Sequence, residues 1–112
     1  MNISDTARFQ DLIRDRLREI KRENHLGRGA QSVVQLDQQA VGRLSRMDAL
    51  QNQAMAKAQQ TRRDIQTRRL TAALKRIEAD EFGYCEDCGD DIALRRLELE
   101  PSVTKCISCA TG

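Results

Sequence analysis

The chain has 112 residues, room for one domain or for a small domain with an extended element; only 3% are aromatic and none is Trp. That composition argues against a ring-rich globular core, while 32% charged residues and a single proline favour long helices packed along a narrow seam. The net charge of +2 is too small to imply polyanion binding, and no apolar run approaches the ~20 residues that span a bilayer.

Residues 4–25 read as a first helix. Ser4 or Asp5 is placed to cap its free N–H groups, and Phe9, Leu12, Ile13, Leu17 and Ile20 recur at steps of three and four to form one apolar stripe. Lys21, Arg22 and His25 fall near the carboxyl end, where the helix dipole favours cations. The charged residues between stripe positions form a solvated face, and the lone His25 is assigned no role.

Gly27 and Gly29 then break the pattern, so a tip is expected over 26–37. Within it the short apolar patch Val33-Val34-Gln35-Leu36 has no assignment. Asp37 is a good N-cap, and a second helix is expected over 38–80, with Val41, Leu44, Met47, Leu50 and Ala54 early in its stripe and Ile65, Leu70, Leu74 and Ile77 late. Gly42 inside it costs only ~1 kcal/mol relative to alanine. A helix of roughly 43 residues is about 65 Å long, nearly twice the first one. Either residues 27–36 continue the pairing as an irregular stretch, or the second helix begins later than Gln38. The fold class is mainly α: a long antiparallel helical hairpin, a coiled coil, over 1–80, followed by a small C-terminal four-cysteine module over 81–112.

Charge changes sign along the chain. From Lys57 to Arg76 seven basic residues stand against one acid, Asp64; from Glu78 to Glu100 nine acids stand against Arg95 and Arg96. Nucleic-acid-reading fingers carry their positive charge on the knuckles, so a basic shaft beside an acidic head is a different pattern. Plain solvation accounts for the shaft as well.

The four cysteines form two C-x-x-C pairs, Cys85-Glu86-Asp87-Cys88 and Cys106-Ile107-Ser108-Cys109. Two residues between cysteines let a tight turn bring both sulfurs to one side, and two such turns facing each other offer four thiolates in the tetrahedron that zinc accepts. Gly83 and Gly89 flank the first pair, where a knuckle often needs positive φ. Two disulfides or a thioredoxin-like dithiol are the alternatives. The sequence shows neither an export signal nor a βαβ pattern, so reduced cysteines, a cytoplasmic location and one structural Zn2+ are expected.

The run Ile77-Glu78-Ala79-Asp80-Glu81-Phe82-Gly83-Tyr84 ahead of the first cysteine, with Gly89, Ile92, Arg95-Arg96-Leu97 and Pro101 between the pairs, resembles the C-terminal zinc module of the DksA/TraR family of bacterial regulators. The resemblance covers Leu74–Cys109 and fades toward the N-terminus. It implies a protein that binds RNA polymerase: a two-helix coiled coil enters the secondary channel, the zinc head stays outside, and acidic tip residues alter initiation, often with guanosine tetraphosphate in the stringent response. This sequence departs from the family's tip pattern D-x-x-D-x-A: Asp37 is the one acid there, Ala40 stands at the second acidic place, and Asp48 is the next acid. Counting back from Cys85, Arg62 and Arg69 occupy basic positions that in the family contact the nucleotide, and Arg96 matches a third. A basic position after the last cysteine in some relatives is Ala110 here.

No nucleophile–base pair and no phosphate-cradling glycine loop can be placed, and four cysteines leave no zinc position for water, so no enzyme activity is expected. Three functions stay open: a monomeric regulator acting on polymerase without sequence-specific DNA contact or membrane attachment, a zinc-stabilised adaptor for another protein, and a nucleic-acid-binding zinc module.

Overall fold

Two long helices carry the chain in the computed structural model, which describes residues 2–40 and 43–111, with side chains placed for 2–27 and 46–111. Helix α1 spans Ile3–Ala40, α2 spans Arg43–Glu78, α3 spans Leu94–Leu99 and α4 spans Ile107–Thr111. Among the described residues the one β-type pairing is an isolated antiparallel bridge between Tyr84 and Asp91.

The cap of α1 lies earlier than Ser4 or Asp5. The Asn2 side-chain oxygen accepts the Asp5 N–H at 2.7 Å, and Asp5 sits inside the first turn, where the dipole favours its charge. The helix then does not stop at residue 25. It runs through both glycines and through Val33–Leu36 to Ala40, giving 38 residues rather than the expected 22 or so. A glycine in a helix interior costs ~1 kcal/mol, which a long helix with packed neighbours absorbs. A Cβ built on Gly27 would lie 2.8 Å from the movable end of the Arg63 guanidinium, so glycine here spares that side chain a shift and does not break the helix.

Consequently α2 begins at Arg43 rather than Gln38, and the expected length mismatch vanishes, with 38 residues in α1 and 36 in α2. Asp37 is therefore a helical residue of α1 and not the N-cap of α2. Its side chain, like the link at 41–42, lies outside the described residues. At its other end α2 closes with a tight double turn: the Glu81 N–H reaches the Arg76 carbonyl at 2.8 Å and the Asp80 N–H reaches that of Ile77 at 3.2 Å. Asp80 holds a left-handed φ of 57°, a place glycine usually takes and aspartate tolerates.

The contacts divide the chain into two compact units, Met1–Leu17 with Gln66–Gly112 and Arg18–Ile65, which cut across the expected boundary at residue 80. In the first unit the start of α1 packs antiparallel to the end of α2 along Phe9, Ile13, Leu70, Ala73 and Ile77, all buried. Phe82 closes this seam, its ring centroid 5.7 Å from that of Phe9 and tilted by 50°. Of the expected stripe, Leu17 is half-buried.

The second unit pairs the same two helices differently. The α2 residues turned inward are Ala49, Gln53, Ala56, Gln60 and Arg63, again at steps of three and four. Gln60 Nε2 and Arg63 Nε both donate to the Asn24 side-chain oxygen of α1, at 3.0 and 2.7 Å. The expected seam residues Met47, Leu50 and Ala54 are exposed instead. At ~100° per residue their mean direction lies roughly 130° around the helix from that of the inward set. The expected stripe thus holds for Leu70 and Ile77 and fails for Met47, Leu50 and Ala54, while Val41 and Leu44 lie outside the described side chains.

Candidate metal centre and adjoining cleft

The zinc-ligand expectation rests on two knuckles, and local backbone geometry builds both. In the first, the Gly89 N–H returns to the Cys85 carbonyl at 2.9 Å, and the Cys85 N–H reaches the Asp90 carbonyl at 2.8 Å. Gly83 and Gly89 hold φ of 91° and 76°, as a chain folding back on itself requires. The second knuckle opens α4, where the Ala110 N–H donates to the Cys106 carbonyl at 2.9 Å. Two links join the knuckles, Glu86 N–H to the Thr104 carbonyl at 2.8 Å and Lys105 Nζ to Asp87 Oδ2 at 3.2 Å, and Arg96 Nε of α3 donates to the Lys105 carbonyl at 3.1 Å.

The result is a tetrad. The sulfurs of Cys85, Cys88, Cys106 and Cys109 all lie within 4.8 Å of one another, and Cys88 and Cys106 are 3.7 Å apart. Four sulfurs at ~2.3 Å from a central ion stand about 3.8 Å from each other, so the spacing fits a tetrahedral S4 site. None of the four is in a disulfide. Their electrostatics also call for a cation. Backbone N–H donors, that of Cys106 first and then that of Cys88, draw the Cys85 thiol down to about 6. Cys109 is pushed far up, chiefly by Cys106 and then by Cys85 and Cys88. The first proton leaves readily and the last resists, because thiolates crowd one another; a divalent ion removes that repulsion. The donor set fits one structural Zn2+, which would crosslink the knuckles and leave no position for water.

Around this centre the head has its own small core of Ile92, Leu97, Pro101 and the buried edge of Cys85. The α1 arginines fasten it: Arg16 Nη2 donates to the Leu99 carbonyl at 3.0 Å, at the carboxyl end of α3 where a cation is favoured, and Arg8 Nη1 pairs with Glu98 at 3.1 Å.

The other expected site residues scatter. Arg69 and Arg96 come together on a cleft of about 300 Å³ that is also lined by Lys105, Ser102, Thr104, Ala110 and one acid, Glu100. Lys105 was not among the expected basic residues. Its signal in the sequence was one cation directly before Cys106, whose second knuckle folds toward α3. Arg62 is exposed on α2 in the other unit, as is Asp48. Asp37 cannot be placed by its side chain.

Residues 80–112 match the model of the prokaryotic dksA/traR C4-type zinc finger. The RNA polymerase-binding transcription factor DksA of Haemophilus influenzae is 46% identical over 44 residues, covering 39% of this chain and 30% of that protein. The protein of the same name from Escherichia coli K12 is also 46% identical over 44 residues, covering 39% and 29%. The chain thus spans about 30% of the length of the curated relatives it matches. The structure of transcription factor DksA2 from Pseudomonas aeruginosa superposes with a TM-score of 0.87 at 21% identity, over 99% of this chain and 84% of that one. At that identity the likeness establishes the fold.

Proposed function

We propose, for a chain that carries a dksA/traR-family zinc finger on a DksA-like fold, that it is a transcription regulator binding RNA polymerase through the secondary channel and modulating initiation. The observation that carries this is the combination: a four-sulfur tetrad sealing a head that is itself fastened to the long helix α1. The relatives matched through that head are named for polymerase binding. Zinc held by Cys85, Cys88, Cys106 and Cys109 acts structurally, closing a head too small to fold by burial alone. The protein is not an enzyme in this reading. It works in the cytoplasm, and among the described residues no helix is long and apolar enough to cross a membrane.

Asp37 and Asp48 are the tip-side carboxylates of the proposal, acting on initiation rather than on docking. Guanosine tetraphosphate is the proposed co-regulator. Its support is the cleft where Arg69, Arg96 and Lys105 converge, since guanidinium groups offer paired donors to phosphate. Lys105 adds a third cation to this cleft, with its Nζ shared with Asp87 at 3.2 Å, and Arg62, on α2 in the other unit, is not part of it.

Co-purification with core RNA polymerase tests the reading. The zinc-loaded chain is expected to co-purify and to alter transcription in vitro, with Asp37→Asn binding normally but changing the output less. Failure to co-purify, with tight binding to duplex DNA that weakens steeply with salt, would replace it by nucleic-acid binding. Capture of neither leaves the adaptor function.

A further inference from the structure

Among the described residues of α2 in the second unit, the large apolar side chains lie on the outside. Met47, Leu50, Ala54, Ala58, Thr61 and Ile65 recur at steps of three and four and form one straight stripe on α2. All six are exposed, Met47 by 64% and Leu50 by 56%. Met55, 56% exposed, widens the stripe on one side. The opposite face, turned to α1, carries the Asn24–Gln60–Arg63 hydrogen bonds. A helix that belongs to a free-standing hairpin normally presents the reverse arrangement, apolar toward its neighbour and polar toward water. A contiguous apolar face rimmed by charge marks an interaction surface.

The rim indicates what covers it. Lys57 and Arg62 flank the stripe on either side and are exposed. Asp64, the neighbouring acid, has its carboxylate engaged by Gln60 Nε2 at 2.9 Å, and Arg46 and Asp48 offset each other at the far end. A second copy laid stripe to stripe would set a basic rim of Lys57 and Arg62 against another basic rim, with the neighbouring Asp64 already bonded to Gln60. An apolar surface rimmed by carboxylates has the matching pattern. Ala54 and Ala58 in the middle of the stripe let such a surface approach the helix closely.

We infer that the outward stripe Met47–Ile65 of α2 is a protein-docking surface that takes an apolar groove rimmed by carboxylates. Resting on the function proposed above, that groove belongs to core RNA polymerase. The stripe supplies the apolar core of the contact, and Lys57 with Arg62 supplies its charged rim.

Competition against a labelled parent chain for core polymerase tests this, using the zinc-loaded full-length protein. The double variant Met47→Ser with Leu50→Ser should bind about tenfold or more weakly. Its melting temperature and zinc content should match the parent, because both positions are exposed. Leu50→Asp alone, which sets a repelling charge on the stripe, should give a comparable loss, and Lys57→Glu should weaken binding most at low salt. Variants that compete as well as a competing parent overturn the docking surface and leave the polymerase reading standing. A parent that does not bind polymerase overturns both. A dimer in sedimentation, or binding to anionic vesicles, that disappears with Met47→Ser and Leu50→Ser assigns the stripe to another occupant and also overturns the inference.

Discussion

The same two helices pair twice in this molecule, by opposite chemistry. In the first unit their seam is apolar and closed by two aromatic rings, and it shares a compact unit with the zinc head. In the second unit the inward residues are two glutamines, an arginine and two alanines, joined to Asn24 of α1 by hydrogen bonds. Apolar burial supplies most of folding stability, whereas a hydrogen bond exchanged against water contributes only ~1 kcal/mol. Stability is therefore concentrated in the unit that holds the metal. The other unit gains register from its polar contacts, and among its described α2 residues Met47, Leu50, Met55 and Ile65 stay on the outside.

Metal removal should break the comparison most severely. Structural zinc contributes on the order of 10 kcal/mol to the folding of small zinc modules, so chelation or Cys88→Ser should unfold the head. Metal analysis should return one zinc per chain, and amides of Cys85, Glu86 and Gly89 should lose exchange protection when it is removed. Protons compete with zinc for the thiolates, so the same loss should appear as pH falls.

Next comes the apolar seam. Phe9→Ala should cost about 3–5 kcal/mol in denaturant unfolding, while Leu17→Ala, half-buried, should cost less than about 2 kcal/mol. Equal losses at the two positions would mean that burial does not distinguish the ends of this stripe.

The polar seam should respond more weakly. Asn24→Ala removes the acceptor shared by Gln60 and Arg63 and should cost about 1 kcal/mol, since both partners can still reach water. The smallest effect is the most specific. Gly27→Ala should gain helix propensity only when Arg63 is absent: in an Arg63→Ala background it should stabilise by about 1 kcal/mol, and in the parent that gain should be offset by crowding of the guanidinium. A gain of the same size in both backgrounds would show that Gly27 provides no clearance.

The zinc centre could be read from the sequence because its information is local. Two C-x-x-C pairs with glycines at positive φ specify their own knuckles, and the structure places all four sulfurs together. Phe9, Ile13, Leu70 and Ile77 were equally visible, since they are apolar at helical spacing and do face a partner helix. The second unit misled the same rule. Met47 and Leu50 are apolar at helical spacing and face outward, and nothing in a periodicity tells a seam from a docking face. Gly27 misled the boundary rule, because a glycine that gives clearance and a glycine that ends a helix look alike in one sequence. Lys105 was hidden for a third reason: its cleft with Arg69 and Arg96 joins residues distant in the chain.

Native-state hydrogen exchange on the zinc-loaded chain, alone and with core RNA polymerase, tests the central claim most directly. In the free protein, amides of residues 9–17 and 70–77 should exchange only through global unfolding, and those of 46–65 through openings of clearly lower free energy. On addition of polymerase the 46–65 amides should become protected. Uniform protection along both helices of the free protein, or a 46–65 segment unchanged in a complex shown to be formed, would contradict it.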